Sequence, residues 1–505
     1  VLNRLETVAL ARLGGGLGGG AVYISATNGK TTTARLLSAC LRADGRDVTA
    51  NAAGANLASG VTAALLARYR RRRRHRTAEG VGERAGAPVS GRFRRRSRRD
   101  LGDPGSGCGG IGVFEVDEAA LSEIADALQP RAVVLMNLFR DQLDRYGELE
   151  AIVERWGDLL AGRSLGPATT LVLNADDPAL AHLGARRNPA PMFQPHWTEG
   201  TPEAAAAEET GPFLPPALER IGAHPPNVVL FGIDDPAVGR PDLPHAADTV
   251  RCGNCGRPLS HDLVTVGHLG HWRCESCGLQ RPRPHISARR VHLDGLDRLE
   301  LTIAGVNGPG GADLEVVAGV GGLHNAYNVT AAVAAATVLG VPPEAVREGV
   351  AGVQAAFGRA EQVDLDGRTL RLLLAKNPTG ANENIRCLLA EPAPLHLLVV
   401  LNDRTADGRD PSWIWDVDYE PLWDRIGSVT LAGDRCWELA LRFSYGGLDP
   451  ARFQVRESLP DALDSAVAAT PPGGVLYALP TYTALLDLRA ELVRRGATHD
   501  FWQET

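Results

Sequence analysis

The heptapeptide Ala26-Thr-Asn-Gly-Lys30-Thr31-Thr32 stands between an apolar run, Ala21-Val-Tyr-Ile-Ser25, and a stretch from Thr31 to Ala43 that spaces Ala34, Leu37, Cys40 and Leu41 on one helical face. Strand, loop and helix in that order aim consecutive backbone N–H groups at one point, where a helix start favours an anion. Thr27, Asn28, Gly29, Lys30, Thr31 and Thr32 are therefore candidate nucleotide ligands, with the Lys30 ammonium for the terminal phosphates and the Thr31 hydroxyl for magnesium. Ala26 replaces the first glycine of the usual pattern, and an ordinary turn is the competing reading. Composition favours the phosphate loop. Lysine occurs only at Lys30 and Lys376, every other member of the 53 basic residues being arginine, so both lysines mark places where a compact ammonium is wanted.

A second carboxylate-bearing segment, Gly112-Val-Phe-Glu-Val-Asp-Glu118, ends another apolar run, where Glu115 can reach a metal on the phosphates. A carboxylate stabilised by a helix N-terminus is the alternative, and it suits Glu118. Asn137, Asp141, Gln142 and Asp144 follow a further run at a strand's carboxyl end. Cys252-x₂-Cys255 and Cys274-x₂-Cys277 form two knuckles whose four thiolates can complete a tetrahedral site. Four protein ligands leave no open position, so the expected zinc is structural. His261, His268 and His271 between the knuckles read as surface residues.

The elements that must position these groups alternate. Ala21–Ser25, Ile111–Val116, Ala132–Leu138, Thr170–Asn174 and 227–231 read as strands with helical stretches between, followed by an Ala-rich helix over Asn325–Leu339. Beyond Gly358 and Arg359, strands at Leu370–Ala375, Leu395–Leu401 and Val475–Ala478 alternate with helices again. The expected fold is α/β: an ATP-binding unit over residues 1–360 with a zinc-ribbon insert at 251–285, then a smaller α/β unit over 361–505. Residues 68–110, with Arg70–Arg74 and a cluster at Arg94–Arg99, read as a disordered, solvated loop or a corrupted reading frame. A nucleic-acid arm is disfavoured, because only Tyr69 and Phe93 could stack on bases. The net charge of -7 over 505 residues gives no global attraction to nucleic acid, and no apolar run approaches the roughly 18 residues of a membrane helix. A cytoplasmic protein with reduced cysteines is expected.

Taken in order, Thr27-Asn-Gly-Lys-Thr-Thr32, Asn51 with Gly54-Ala-Asn56, Glu115-Val-Asp-Glu118, Asn174-Ala-Asp-Asp-Pro178, His324-Asn325 with Asn328, and Gly358-Arg-Ala-Glu361 resemble the Mur ligase family over nearly the whole chain except 68–110. The Cys₄ insert and Asp407-Gly-Arg-Asp-Pro-Ser-Trp-Ile-Trp-Asp416 narrow the resemblance to its MurT branch, the ligase-like subunits of lipid II isoglutaminyl synthase. The resemblance implies ATP-dependent amidation of the D-glutamate α-carboxylate of lipid II through an acyl phosphate, in a heterodimer with a GatD-like class I glutaminase that supplies ammonia. Work on lipid II implies a position at the inner face of the cell membrane, in peptidoglycan and cell-wall biogenesis. It further implies magnesium on Thr31 and Glu115, Asn325 near the base or ribose, Arg359 reaching a phosphate, and Asp410, with Asp407 as the alternative, completing the partner's Cys-His triad. Without the resemblance, the Asp410 segment reads as an acidic surface loop beside packed Trp413 and Trp415.

Three departures shape the expectation. Gln142 stands where Mur ligases commonly carry histidine, so it is not assigned as a metal ligand. Only a short segment precedes the loop, leaving no N-terminal domain to grip a UDP-sugar and favouring a lipid-linked substrate. Ala375-Lys-Asn-Pro378 replaces the acid and histidine pattern of amino-acid-adding ligases, and Lys376 is expected near the acyl phosphate or the ammonia path. The competing readings are a self-sufficient Mur or folylpolyglutamate-type amino acid ligase, and a nucleotide-gated zinc-ribbon protein that binds nucleic acid.

Overall fold

The computed structural model describes residues 2–52, 54–81, 110–141, 149–161, 165–166, 168–187, 228–245, 247–308, 310–354 and 359–498. In chain order the first sheet's strands are β1 (Ala21–Ser25), β2 (Val48–Ala50), β3 (Ile111–Glu115), β4 (Ala132–Leu135), β5 (Thr170–Asn174), β6 (Val228–Ile233), then β9 (Ile286–Asp294), β10 (Arg298–Ala304) and β11 (Leu314–Ala318). A small hairpin, β7 (Ser260–Val264) and β8 (Gly270–Arg273), lies in the insert between β6 and β9. The spatial order is β11-β10-β9-β6-β5-β4-β1-β3-β2. Strands from β2 to β9 pair in parallel, whereas β9, β10 and β11 form an antiparallel edge.

Why these segments form central strands is visible in their side chains. Period-two alternation sends Val22 and Ile24 to one face and Tyr23 to the other, and both faces are covered, so the runs are apolar throughout. The first face packs on α2 (Lys30–Ala43), α7 (Leu323–Val338) and α8 (Pro343–Ala351) through Leu36, Leu37, Val329, Val333 and Val346. The second packs on α1 (Leu2–Gly14), α3 (Ala58–Val81), α4 (Leu121–Ala127), α5 (Leu149–Ala161) and α6 (Pro178–Arg187) through Leu10, Leu65, Ile124, Trp156 and Leu180. From β1 the chain builds β2 and β3 on one side and then crosses to β4 on the other. The carboxyl ends of β1 and β4 therefore flank a topological switch point, the place where open α/β sheets bind ligands.

The second sheet has the order β12-β13-β17-β14-β15-β16, with β12 (Arg359–Leu365), β13 (Arg368–Leu373), β14 (Leu395–Val400), β15 (Ile426–Ala432), β16 (Phe453–Val455) and β17 (Val475–Pro480). Only β12 and β13 pair antiparallel. Helices α9 (Pro378–Ala390) and α10 (Cys436–Tyr445) cover one face, α11 (Leu459–Ala469) and α12 (Tyr482–Arg494) the other.

Two expectations need correction. Helix α3 runs through Arg70–Arg74, so the first part of 68–110 is ordered: arginine is a good helix former, Val61 and Leu65 anchor the helix, and Arg68 pairs with Asp47 at 2.7 Å. Residues 82–109 lie outside the described residues. The strand expected over Ala132–Leu138 ends at Leu135, because the next residues turn into the site. Among the described residues no helix is long and apolar enough to cross a membrane.

Candidate active site

The loop after β1 is braced by the exit of β4. The backbone N–H of Asn28 donates to Asn137 Oδ1 (2.9 Å), and Asn137 Nδ2 returns a bond to Asn28 O (3.0 Å). Thr27 Oγ1 donates to Phe139 O (3.1 Å) and accepts from Phe139 N (3.0 Å). Gly29 then turns the chain at φ +94 into α2, and a Cβ there would lie 2.0 Å from Asn328 Oδ1. Only glycine satisfies both demands. Asn328 in turn donates to Asn325 Oδ1 (2.8 Å), and Asn325 donates to Gly321 O (2.6 Å), so α7 closes the loop from behind. Sequence reading placed Asn325 near a nucleotide; here it is buried and holds the side chain that packs on Gly29.

Lys30 and Thr31 each meet a carboxylate. Lys30 Nζ donates to Glu118 Oε2 (2.8 Å) and to Ala26 O. Burial disfavours the ammonium, but Glu118, with lesser contributions from Asp117 and Asp141, holds its pKa above the ordinary lysine value. Glu118 is thus more than the helix-start carboxylate expected. Thr31 Oγ1 donates to Glu115 Oε2 (2.6 Å), while Gly54 N donates to Oε1 (2.6 Å). Asn51 fixes the backbone beneath by accepting from Glu115 N (3.0 Å) and donating to Glu115 O (2.9 Å). A hydroxyl and a nearly buried carboxylate side by side form the hard oxygen donor set that magnesium takes.

The second sheet reaches into the same place. Lys376 pairs with Asp141 and donates to Thr27 O (3.1 Å), and the Asn377 and Asn28 amides exchange bonds at 3.1 and 3.2 Å. Asn377 also caps α9 by accepting from Gly380 N (2.8 Å). The structure therefore brings Thr27, Asn28, Gly29, Lys30, Thr31, Glu115 and Lys376 together at the switch point, with Asn325 buried behind the loop. Thr32 lies in the first turn of α2. Arg359 begins β12, but its side chain, with Gln142 and Asp144, lies outside the described residues.

Asp407 and Asp410 separate cleanly. Asp407 is buried and accepts from Thr483 N (2.8 Å), Thr483 Oγ1 and Arg404 N (3.3 Å), which occupies its carboxylate with its own fold. Asp410 is exposed at the start of the helical turn Pro411–Asp416; bonds from the Ser412 N–H (2.9 Å) and the Ser412 side chain hold its pKa below the usual aspartate value.

The sulfurs of Cys252, Cys255, Cys274 and Cys277 all lie within 4.8 Å of one another, and Cys252–Cys277 and Cys255–Cys274 are each 3.5 Å apart. Zinc–sulfur bonds of about 2.3 Å in a tetrahedron require sulfur separations of about 3.8 Å, so the donor set fits that ion. The site packs on Ala181 through Trp272 and Leu279. His261 and His271 are partly exposed, but His268 is wholly buried, against the expectation of a surface residue, with its ring 5.0 Å from that of Phe139.

Residues 109–208 match the Mur ligase middle domain and residues 374–485 the MurT ligase C-terminal family. Along 94% of its length the chain is 29% identical to the lipid II isoglutaminyl synthase (glutamine-hydrolyzing) subunit MurT of Streptococcus pneumoniae, covering 87% of that protein. The MurT subunit of Staphylococcus aureus is 26% identical, again over 94% of this chain and 87% of the relative. The chain thus resembles, in both halves, the MurT branch of the Mur ligases. In fold it matches the MurF ligase of Thermotoga maritima, solved in complex with ADP, with a TM-score of 0.56 at 13% identity, covering 98% of this chain and 85% of that one. Sequence reading missed two links: Glu118 as the partner of Lys30, and Asn377 as the partner of Asn28. They join residues 88 and 349 positions apart, a separation that no local spacing reveals.

Proposed function

We propose that this chain is the ATP-consuming subunit of a two-component enzyme that amidates the D-glutamate α-carboxylate of lipid II, using ammonia released by a class I glutaminase-like partner of the GatD type. One observation carries the reading: the two halves of the chain meet on the phosphate loop itself, through Lys376–Thr27 and Asn377–Asn28, so nucleotide and acceptor chemistry share one crevice. The activity for which the two MurT relatives are named, and the ADP bound by the Thermotoga ligase, support it.

In the proposed reaction a substrate carboxylate oxygen attacks the γ-phosphorus and ADP leaves. The resulting acyl phosphate is attacked at its carbonyl carbon by ammonia; the carbon–oxygen bond breaks, phosphate departs, and a proton passes to solvent. Lys30 is the cation for the transferred phosphoryl group, and Lys376, entering from the other half, is the cation nearest Thr27 O. Thr31 and Glu115 would hold magnesium, which supplies charge neutralisation on the phosphates. Asn325 acts behind the loop through Asn328, and Arg359 remains the candidate phosphate contact from the boundary. The two functional units are 1–360 and 361–505.

Asp410 is the exposed, ionised carboxylate that completes the partner's triad. The turn that Asp410 opens carries Trp415, 45% exposed and 5.8 Å from the ring of Tyr445 on α10, which presents Trp437, Leu441 and Tyr445, with 61%, 50% and 78% exposure, at successive turns of one face. Such a patch supports a partner there. The test is reconstitution with lipid II, ATP and the glutaminase subunit encoded by the same organism. Asp410→Asn should cut glutamine-driven amidation at least about 100-fold while sparing ammonium-driven amidation. Equal loss with both nitrogen sources would remove Asp410 from the triad. Condensation of a free amino acid with a UDP-linked precursor or folate by this chain alone would sink the whole reading.

A further inference from the structure

The insert that carries the four cysteines ends in an unusual place. A hairpin turn normally lies in solvent, yet in the turn between β7 and β8 the residues Thr265, Val266, His268 and Leu269 are 0%, 3%, 0% and 1% exposed. The four cysteines hold the base of this hairpin, and its tip is wedged at a three-way junction. Toward α7, Thr265 Oγ1 bonds Tyr327 OH (2.6 Å), on the helix whose Asn328 packs against Gly29. Toward β4, His268 packs on Phe139, whose backbone binds both ways to Thr27 Oγ1. Toward the second sheet, Arg386 on α9 donates to Thr265 O (2.8 Å) and to Val238 O. Helix α9 is capped by Asn377, the partner of Asn28.

We propose that this hairpin tip, gripped by Arg386, is a positioning element for the nucleotide crevice, fixing how Lys376 and Asn377 meet Thr27 and Asn28. The tip touches three of the segments that brace the loop: α7, the exit of β4 and α9. A guanidinium bonded to two carbonyls of the insert sets both the spacing and the rotation of α9, which a single hydrogen bond would not. Sub-ångström misplacement of groups so supported is costly in catalysis, so the contact has a functional consequence beyond stability.

The inference rests on the proposed nucleotide site, and the experiment separates the two. Binding of a non-hydrolysable ATP analogue with magnesium is measured by calorimetry on the full chain, together with amide hydrogen exchange at residues 26–30 and zinc content. Arg386→Ala should weaken the analogue about tenfold, a loss of about 1.4 kcal/mol, and speed exchange in the loop, with zinc still at one per chain. Arg386→Lys should recover part of the affinity, and Thr265→Val, which keeps the shape of the tip, should weaken binding in the same direction. Unchanged affinity and loop exchange in folded Arg386→Ala and Thr265→Val would overturn the positioning role. Failure of the unaltered chain to bind the analogue would instead overturn the nucleotide site.

Discussion

Replacing Lys30 by alanine tests the centre of the proposed chemistry, and the structure alters what should be expected of it. The ammonium is not waiting in solvent but is paired with Glu118 at 2.8 Å, with 14% and 11% of the two side chains exposed. Lys30→Ala therefore removes a phosphate-binding charge and also strands a carboxylate. The first effect should cost about 100- to 1000-fold in turnover, or about 3–4 kcal/mol, as expected for one preorganised electrostatic group. The second should cost about 1–3 kcal/mol of stability, below the toll of breaking a fully buried pair because both partners retain some solvent contact. A second variant separates them: Lys30→Met with Glu118→Gln leaves no unpaired charge, so stability should return while turnover stays lost. ADP release is followed in a coupled assay, and unfolding by differential scanning. Turnover within threefold of the parent in Lys30→Ala, or its recovery in the double variant, would refute the assignment of Lys30 to the phosphates.

Gly29→Ala should abolish analogue binding and lower the unfolding midpoint, since the added carbon would sit 2.0 Å from Asn328 Oδ1 at a φ of +94; normal binding by calorimetry would disprove the tight loop. Burial of Glu383 raises its pKa to about 7, partly offset by Arg386 and Arg240. A carboxyl whose folded pKa exceeds its unfolded value costs stability progressively as pH rises from the unfolded to the folded value, so Glu383→Gln should gain on the parent between about pH 4.5 and 7 and hold that gain above; a pH-independent difference in midpoint would contradict the burial argument. Cys255→Ser should take bound zinc from one per chain to none and shift the fluorescence of buried Trp272, which shares the apolar cluster of Cys252 and Cys274, whereas retained zinc by mass spectrometry would reject the four-sulfur site.

What could be read in the sequence divides along a physical line. The strand, loop and helix around Lys30 are legible because they are contiguous, and the knuckles because a pair of cysteines two apart is a local device. Charged runs misled. Arg70–Arg74 resembles disordered composition, yet arginine favours helix and the apolar start of α3 supplies the anchor. His268 looked like a surface residue because hydropathy is assigned residue by residue, whereas its burial depends on where a whole hairpin docks. Asp410 and its alternative Asp407 stand three residues apart in one acidic turn, where local sequence says nothing of burial. The fold occupies Asp407 with Thr483, 76 residues away, and leaves Asp410 exposed.

The same division bears on the second lysine. The segment Ala375-Lys-Asn-Pro378 suggests a place for Lys376 near the acyl phosphate or ammonia path, but only the folded chain shows both lysines meeting the same loop, each parked on a carboxylate, Glu118 for Lys30 and Asp141 for Lys376. Glu115 and Asp117 lie at and just beyond the end of β3, so among the described residues two ammonium groups face four carboxylates. That balance is net negative, and a bare triphosphate would be repelled at the point where the helix start invites it. A triphosphate that brings a divalent cation reverses the balance: the carboxylates gain a counter-charge, and the two lysines are freed to turn toward the phosphates. Under the proposed function, an arrangement that looks self-neutralised is a set of exchangeable pairs, in which Lys30 and Lys376 are held in position by acids they would leave when nucleotide and metal arrive together.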